Sequence, residues 1–217
     1  MLGLILKDFI NLKKNFKIFG ALILLYGFMA FAMESSSYFS SMFTLVFAML
    51  ILSTYSYDEM VKWDGYALTM PITKNNIVQG KYITMLMLTV LGFIISGISL
   101  VVINTILNVD NLFGGIQVSA LGAALVILFY SITIPFITKL GIEKARFIFI
   151  IVYMVPFFLG FMGYKAIKEQ GLQPPVKLIE FFEFCIDHAY IIIPVIVLIA
   201  LMLSYSISIR IYQKKEF

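Results

Sequence analysis

The sequence predicts an all-α membrane protein with six transmembrane helices behind an N-terminal interfacial amphipathic helix. Three observations predict it. Hydrophobic residues make up 61% of the chain and charged residues 13%, where soluble domains run near half apolar and a quarter charged. Apolar runs of about 20 residues, long enough to cross roughly 30 Å of hydrocarbon, recur along the whole chain. The basic residues are also segregated. Six spans place both termini on one side of the membrane, and that side collects thirteen of the sixteen Lys and Arg residues. Only Lys165, Lys168 and Lys177 fall on the other side. The bias puts both termini in the cytoplasm, as expected for a multi-pass membrane protein.

Residues 1–17 read as one amphipathic helix on the cytoplasmic leaflet. Leu2, Ile5, Phe9, Leu12 and Phe16 share a face, with Lys7, Asn11 and Lys14 on another. The stretch is apolar enough to lie on a membrane and too charged to cross one. The transmembrane domain then covers 18–209. Span 1, about 18–33, is followed by Met33-Glu34-Ser35-Ser36 and no small-x-small cleavage pattern, so it reads as a retained helix. Span 2 is about 38–57, and its serines and threonines allow close helix contact. Span 3 is about 82–107. A loop with Gly114-Gly115 as turn residues leads to span 4, about 117–138. The loop 139–146 precedes span 5, about 147–164, and span 6 is about 189–209. Residues 210–217 form a cytosolic tail.

Two polar connections exceed what joining two spans requires. On the outer side, 165–188 breaks at Pro174-Pro175. It then gathers Val176, Ile179, Phe182 and Ile186 opposite Lys177, Glu180, Glu183 and Asp187, the pattern of an amphipathic helix at the outer leaflet. On the cytosolic side, 58–81 holds the single tryptophan, Trp63, beside Asp58, Glu59 and Asp64. Met70-Pro71 disfavours a continuous helix there. The stretch reads as two short helical pieces joined by a bend, with Thr73 capping the second.

Little else in the chain carries chemistry. His188 and Cys185 are the only histidine and the only cysteine, which excludes an intrachain disulfide and a usual zinc site. No GxxxxGK[ST] loop is present, so the chain is not expected to hydrolyse ATP itself. The spans as drawn contain no ionisable residue, which argues against a proton- or sodium-coupled carrier. Asn104, near the end of span 3, is a polar group in an apolar setting and reads as an interhelical hydrogen-bonding group. Neither cofactor nor metal is expected, and nucleic acid is not an expected partner.

Glu59, Trp63, Leu68, Pro71, Ile72, Ile77, Val78, Lys81 and Tyr82, in this order and spacing, resemble the cytosolic loop of small bacterial ABC-2 type transporter permeases. The amphipathic N-terminus, the six-span layout and the outer segment before span 6 extend the likeness over nearly the whole chain. The resemblance implies the ABCG-like exporter bundle. It also implies two permease copies, identical or sister, and a cytosolic ATP-hydrolysing subunit on each. Region 58–81 would be the coupling element, with Glu59, Trp63, Asp64, Leu68, Pro71 and Lys81 as the ATPase-subunit contact. Trp63 suits a partner pocket, since buried aromatic anchors dominate interface energies, and it equally suits an interfacial belt. A looser likeness to phenol-soluble modulin exporters makes amphipathic peptides the first choice of cargo, with lipids or hydrophobic drugs second. A membrane scaffold or immunity protein that does no transport is the competing reading, and an intramembrane enzyme a more distant one.

Overall fold

The computed structural model describes residues 2–13, 16–32, 36–107, 112–170 and 188–215. Among them all regular structure is helical: α1 (Leu2–Leu12), α2 (Phe16–Ala32), α3 (Ser36–Met60), α4 (Trp63–Ala67), α5 (Lys74–Leu107), α6 (Leu112–Leu140), α7 (Ile142–Gln170) and α8 (Ala189–Lys214). Three helices among the described residues, α5, α6 and α8, are long and apolar enough to cross a membrane, and α2 carries a shorter apolar run, Gly20–Met29. Residues 171–187, which include most of the expected outer amphipathic helix, lie outside the described residues.

Helices α3, α5 and α6 form the centre, and α8 packs on α5 and α6. Helix α2 lies against α3, α7 against α6, and α1 across α3 and α5. Leu50, Ile51, Met85, Leu88, Val126 and Ile134 fill the core between them. Other apolar side chains point outward, among them Ile94 and Ile98 of α5, Leu125 of α6, and Leu198 and Met202 of α8. Helices that are apolar all round suit lipid surroundings.

Helix directions follow from cross-links. Ser96 of α5 donates to Ser119 of α6 at 2.8 Å, and Leu100 meets Gly115, so α5 and α6 are antiparallel. Tyr82 of α5 hydrogen-bonds Ser204 and Ser208 of α8 at 2.5 and 2.9 Å. Lys74, at the start of α5, donates to the Gln213 and Lys215 carbonyls at the end of α8. Hence α8 also runs against α5, and α6 and α8 run in the same direction.

Several boundaries differ from expectation. The amphipathic N-terminal helix stops at Leu12, and Phe16 already belongs to α2. The 139–146 loop collapses to Gly141, with helix on both sides. Gly115 is no turn residue, since α6 begins at Leu112. A Cβ at Gly115 would lie 2.0 Å from Leu100 Cδ1, so the glycine serves close helix packing. The second helical piece of 58–81 is not separate either. It forms the first turns of α5, started by Thr73, whose Oγ1 accepts from Asn76 N at 3.3 Å.

Candidate functional site

One end of the bundle gathers the charge. It brings together α1, the end of α3, α4, the start of α5, the α6–α7 junction and the end of α8. The non-helical connection there is short, because α3 runs on through Asp58 and Glu59 to Met60 and α5 begins at Lys74. Lys62 ends the first turn in the left-handed region, at φ 49° and ψ 42°, a conformation unusual for a residue with a Cβ. Five residues then form α4, and the bend follows. Ile72 N donates to Met70 O at 2.7 Å around Pro71, closing a three-residue turn that the fixed φ of proline favours.

Four side chains lock this end. Lys7 Nζ lies 2.6 Å from Asp58 Oδ1 and 3.1 Å from Asp8 Oδ1. Lys81 Nζ lies 2.7 Å from Asp58 Oδ2 and 3.1 Å from Asp8 Oδ1. Each ammonium thus touches both carboxylates, in a closed ring joining α1, α3 and α5. Asp8 is 2% exposed and Lys81 8%. Charges so enclosed persist only when paired, and removing one partner from such a pair is strongly destabilising. Lys7 also stands 4.4 Å from the centroid of the Trp63 ring, a cation–π contact that fixes the first residue of α4 to α1.

Glu59 makes a second link. Its Oε2 accepts the Ile142 N–H at 2.6 Å, satisfying an orphan amide at the start of α7. Gly141 allows this approach. Its φ is +81°, and a Cβ there would meet Glu59 Oε1 at 2.7 Å. Asp64 pairs with Lys215 at 3.9 Å, a long, half-exposed contact worth little. Together these residues border a cavity of about 370 Å³, rimmed by Asp58, Glu59, Lys62, Asp64, Lys81 and Lys215, with Tyr55 and Tyr212 among its walls. Three acids face three lysines there, so the cavity is charged but balanced. Among the described residues no group of three or more His, Cys, Asp and Glu side chains could hold a metal ion.

The residues expected to contact a partner take different positions here. Trp63 and Leu68 are half-buried against the core, and Asp64 is half-buried. Pro71 is exposed. The head groups of Glu59 and Lys81 are engaged within the bundle. The exposed apolar surface comes from neighbours: Met60 at 80%, Val61 at 68%, Tyr66 at 59% and Met70 at 37%.

The amphipathic pattern puts Lys7 on the polar face and leaves Asp8 unnoticed. A signal was present. Asp8 lies four residues from both Leu4 and Leu12 and next to Phe9, which puts a carboxylate on the apolar face of α1. Asn104 is buried, and neither atom of its amide has a hydrogen-bond partner among the described residues.

A family model described as ABC-2 family transporter protein matches residues 3–213. No curated protein and no solved structure matches.

Proposed function

This chain belongs to the ABC-2 transporter family, as a membrane subunit without an ATPase domain, and we propose that it is the permease of an ATP-driven exporter. In this reading it crosses the membrane six times, with the charged end in the cytoplasm. Permeases of the family generally pair with ATPase subunits, and region 58–81 is the surface that receives one here.

The observation that carries the proposal is a contrast within that region. Met60, Val61, Tyr66 and Met70 expose apolar side chains at the charged end of the bundle, while the same segment is fastened by ion pairs among α1, α3 and α5. Exposed apolar patches rimmed by charge mark interaction sites. A patch held rigidly to α1, α3 and α5 passes a push from its partner to the membrane helices. Trp63, Asp64, Leu68 and Pro71 shape the contact. Glu59 and Lys81 keep the segment attached to α7 and α1. The balanced cavity beside it can take a polar side chain of the partner.

A second copy of the chain, or a sister permease, completes the transport path. The cargo is an amphipathic peptide by preference, or else a lipid or hydrophobic drug.

Co-expression with a candidate cytosolic ABC ATPase subunit from the same organism tests the docking claim. Met60→Asp and Tyr66→Asp each weaken recovery of the ATPase subunit at least tenfold, the scale of an interface hot spot, and leave the melting temperature of the permease unchanged. Recovery that is indifferent to substitutions throughout 58–81 would refute docking at this surface. Uptake of an amphipathic peptide into inverted vesicles, with and without ATP, tests export. Uptake that ignores ATP favours the scaffold reading.

A further inference from the structure

The groove between α6 and α8 is unaccounted for by coupling. It encloses about 440 Å³ and is walled by Ile132, Pro135 and Phe136 on one side and Leu203, Ile207 and Ile211 on the other. Lys139 closes it at the charged end of the bundle. Because α6 and α8 run in the same direction, their C-terminal ends lie side by side. Lys139 is exposed there, and so are Arg210 and Lys214 of α8. The groove is therefore an apolar slot along two apolar helices, with Lys139 in its lining and Arg210 and Lys214 exposed at the same end of α8.

We propose that this groove holds one anionic phospholipid of the cytoplasmic leaflet as a resident ligand, distinct from the cargo. Its acyl chain lies along the α6–α8 slot, and its phosphate meets Lys139 with Arg210 or Lys214. Charge complementarity selects this occupant. Basic residues at the cytoplasmic ends of membrane helices attract anionic headgroups, whereas a zwitterionic lipid gains no net attraction. A second copy of the chain fits less well. Its symmetry axis would stand along the membrane normal, so each Lys139 would meet another at the same depth, beside the doubled Arg210 and Lys214. The cytoplasmic placement rests on the orientation proposed above, but binding in detergent does not depend on orientation. The two claims can therefore fail separately.

Native mass spectrometry of the full chain in detergent tests the site, with phosphatidylglycerol and phosphatidylcholine of identical chains as probes. The wild type retains one phosphatidylglycerol in preference to phosphatidylcholine. Lys139→Gln lowers that preference about fivefold, as loss of one interfacial cation implies, and Lys139→Arg preserves it. Ile207→Trp fills the slot and abolishes retention of both lipids. An unchanged preference in Lys139→Gln, or undiminished retention in Ile207→Trp, overturns the proposal. So does disulfide-linked dimer formation by Ile207→Cys in a Cys185→Ser background, which would assign the groove to a second copy.

Discussion

The two ends of the α5–α6 pair are built differently. At one end, charged groups from α1, α3 and α5 close a ring of ion pairs, Glu59 holds α7, and Lys74 holds the end of α8. Toward the other end, α5 and α6 meet through small residues, with Ser96 on Ser119 and Gly115 against Leu100. The difference teaches where motion can enter. Charged links among several helices make one end move as a unit. Small-residue contacts hold by close fit and give more easily, since a hydrogen bond between membrane helices contributes little. In the reading proposed above, an ATP-driven exporter benefits from a stiff receiving end and a yielding far end.

Substitutions at the two ends test the contrast directly. Asp8→Ala leaves Lys81 with only Asp58 and is expected to cost about 3–5 kcal/mol, read as loss of stability in detergent unfolding. A loss below about 1 kcal/mol would mean that the ring is solvated and that the stiff end does not exist. Gly141→Ala comes next, at about 2 kcal/mol, because φ +81° disfavours a Cβ and the new methyl displaces the Glu59 carboxylate. The same unfolding assay measures it, and a neutral result would place Glu59 away from α7. Glu59→Ala, which frees the α7 amide, should cost about 1 kcal/mol. Native-state hydrogen exchange at Ile142 should rise in that variant and stay unchanged in Asp8→Ala. Smallest is Ser119→Ala, at about 0.6 kcal/mol. A loss as large as that of Asp8→Ala would erase the distinction between the ends.

Much of this architecture could be read from residue order. Long apolar runs marked α5, α6 and α8 because few other structures suit such segments. Pro71 marked the bend and Thr73 the start of α5, each through local backbone chemistry that needs no tertiary information. The density of charge between 58 and 81 pointed to the end of the bundle where the ion pairs gather. The internal partners were not legible. Lys81 and Asp8 are 73 residues apart, and Glu59 and Ile142 are 83 apart, so neither contact leaves a periodic trace. Lys81 reads as a partner contact outside the spans because span 3 is drawn from Tyr82. Once α5 starts at Lys74, the same lysine sits in its third turn, facing the N-terminal helix. Gly115 misled for a related reason: a glycine needed for turning and one needed for close approach are the same letter.

The ring of ion pairs also dictates an order of assembly. The ribosome makes Lys7 and Asp8 first and must add Asp58 and Lys81 before the N-terminal helix finds its full set of counter-charges. Until then that helix lacks the partners that fix its position against α3 and α5. Its seating thus reports that α3 and the first turns of α5 have been made, a checkpoint written into the nascent chain itself.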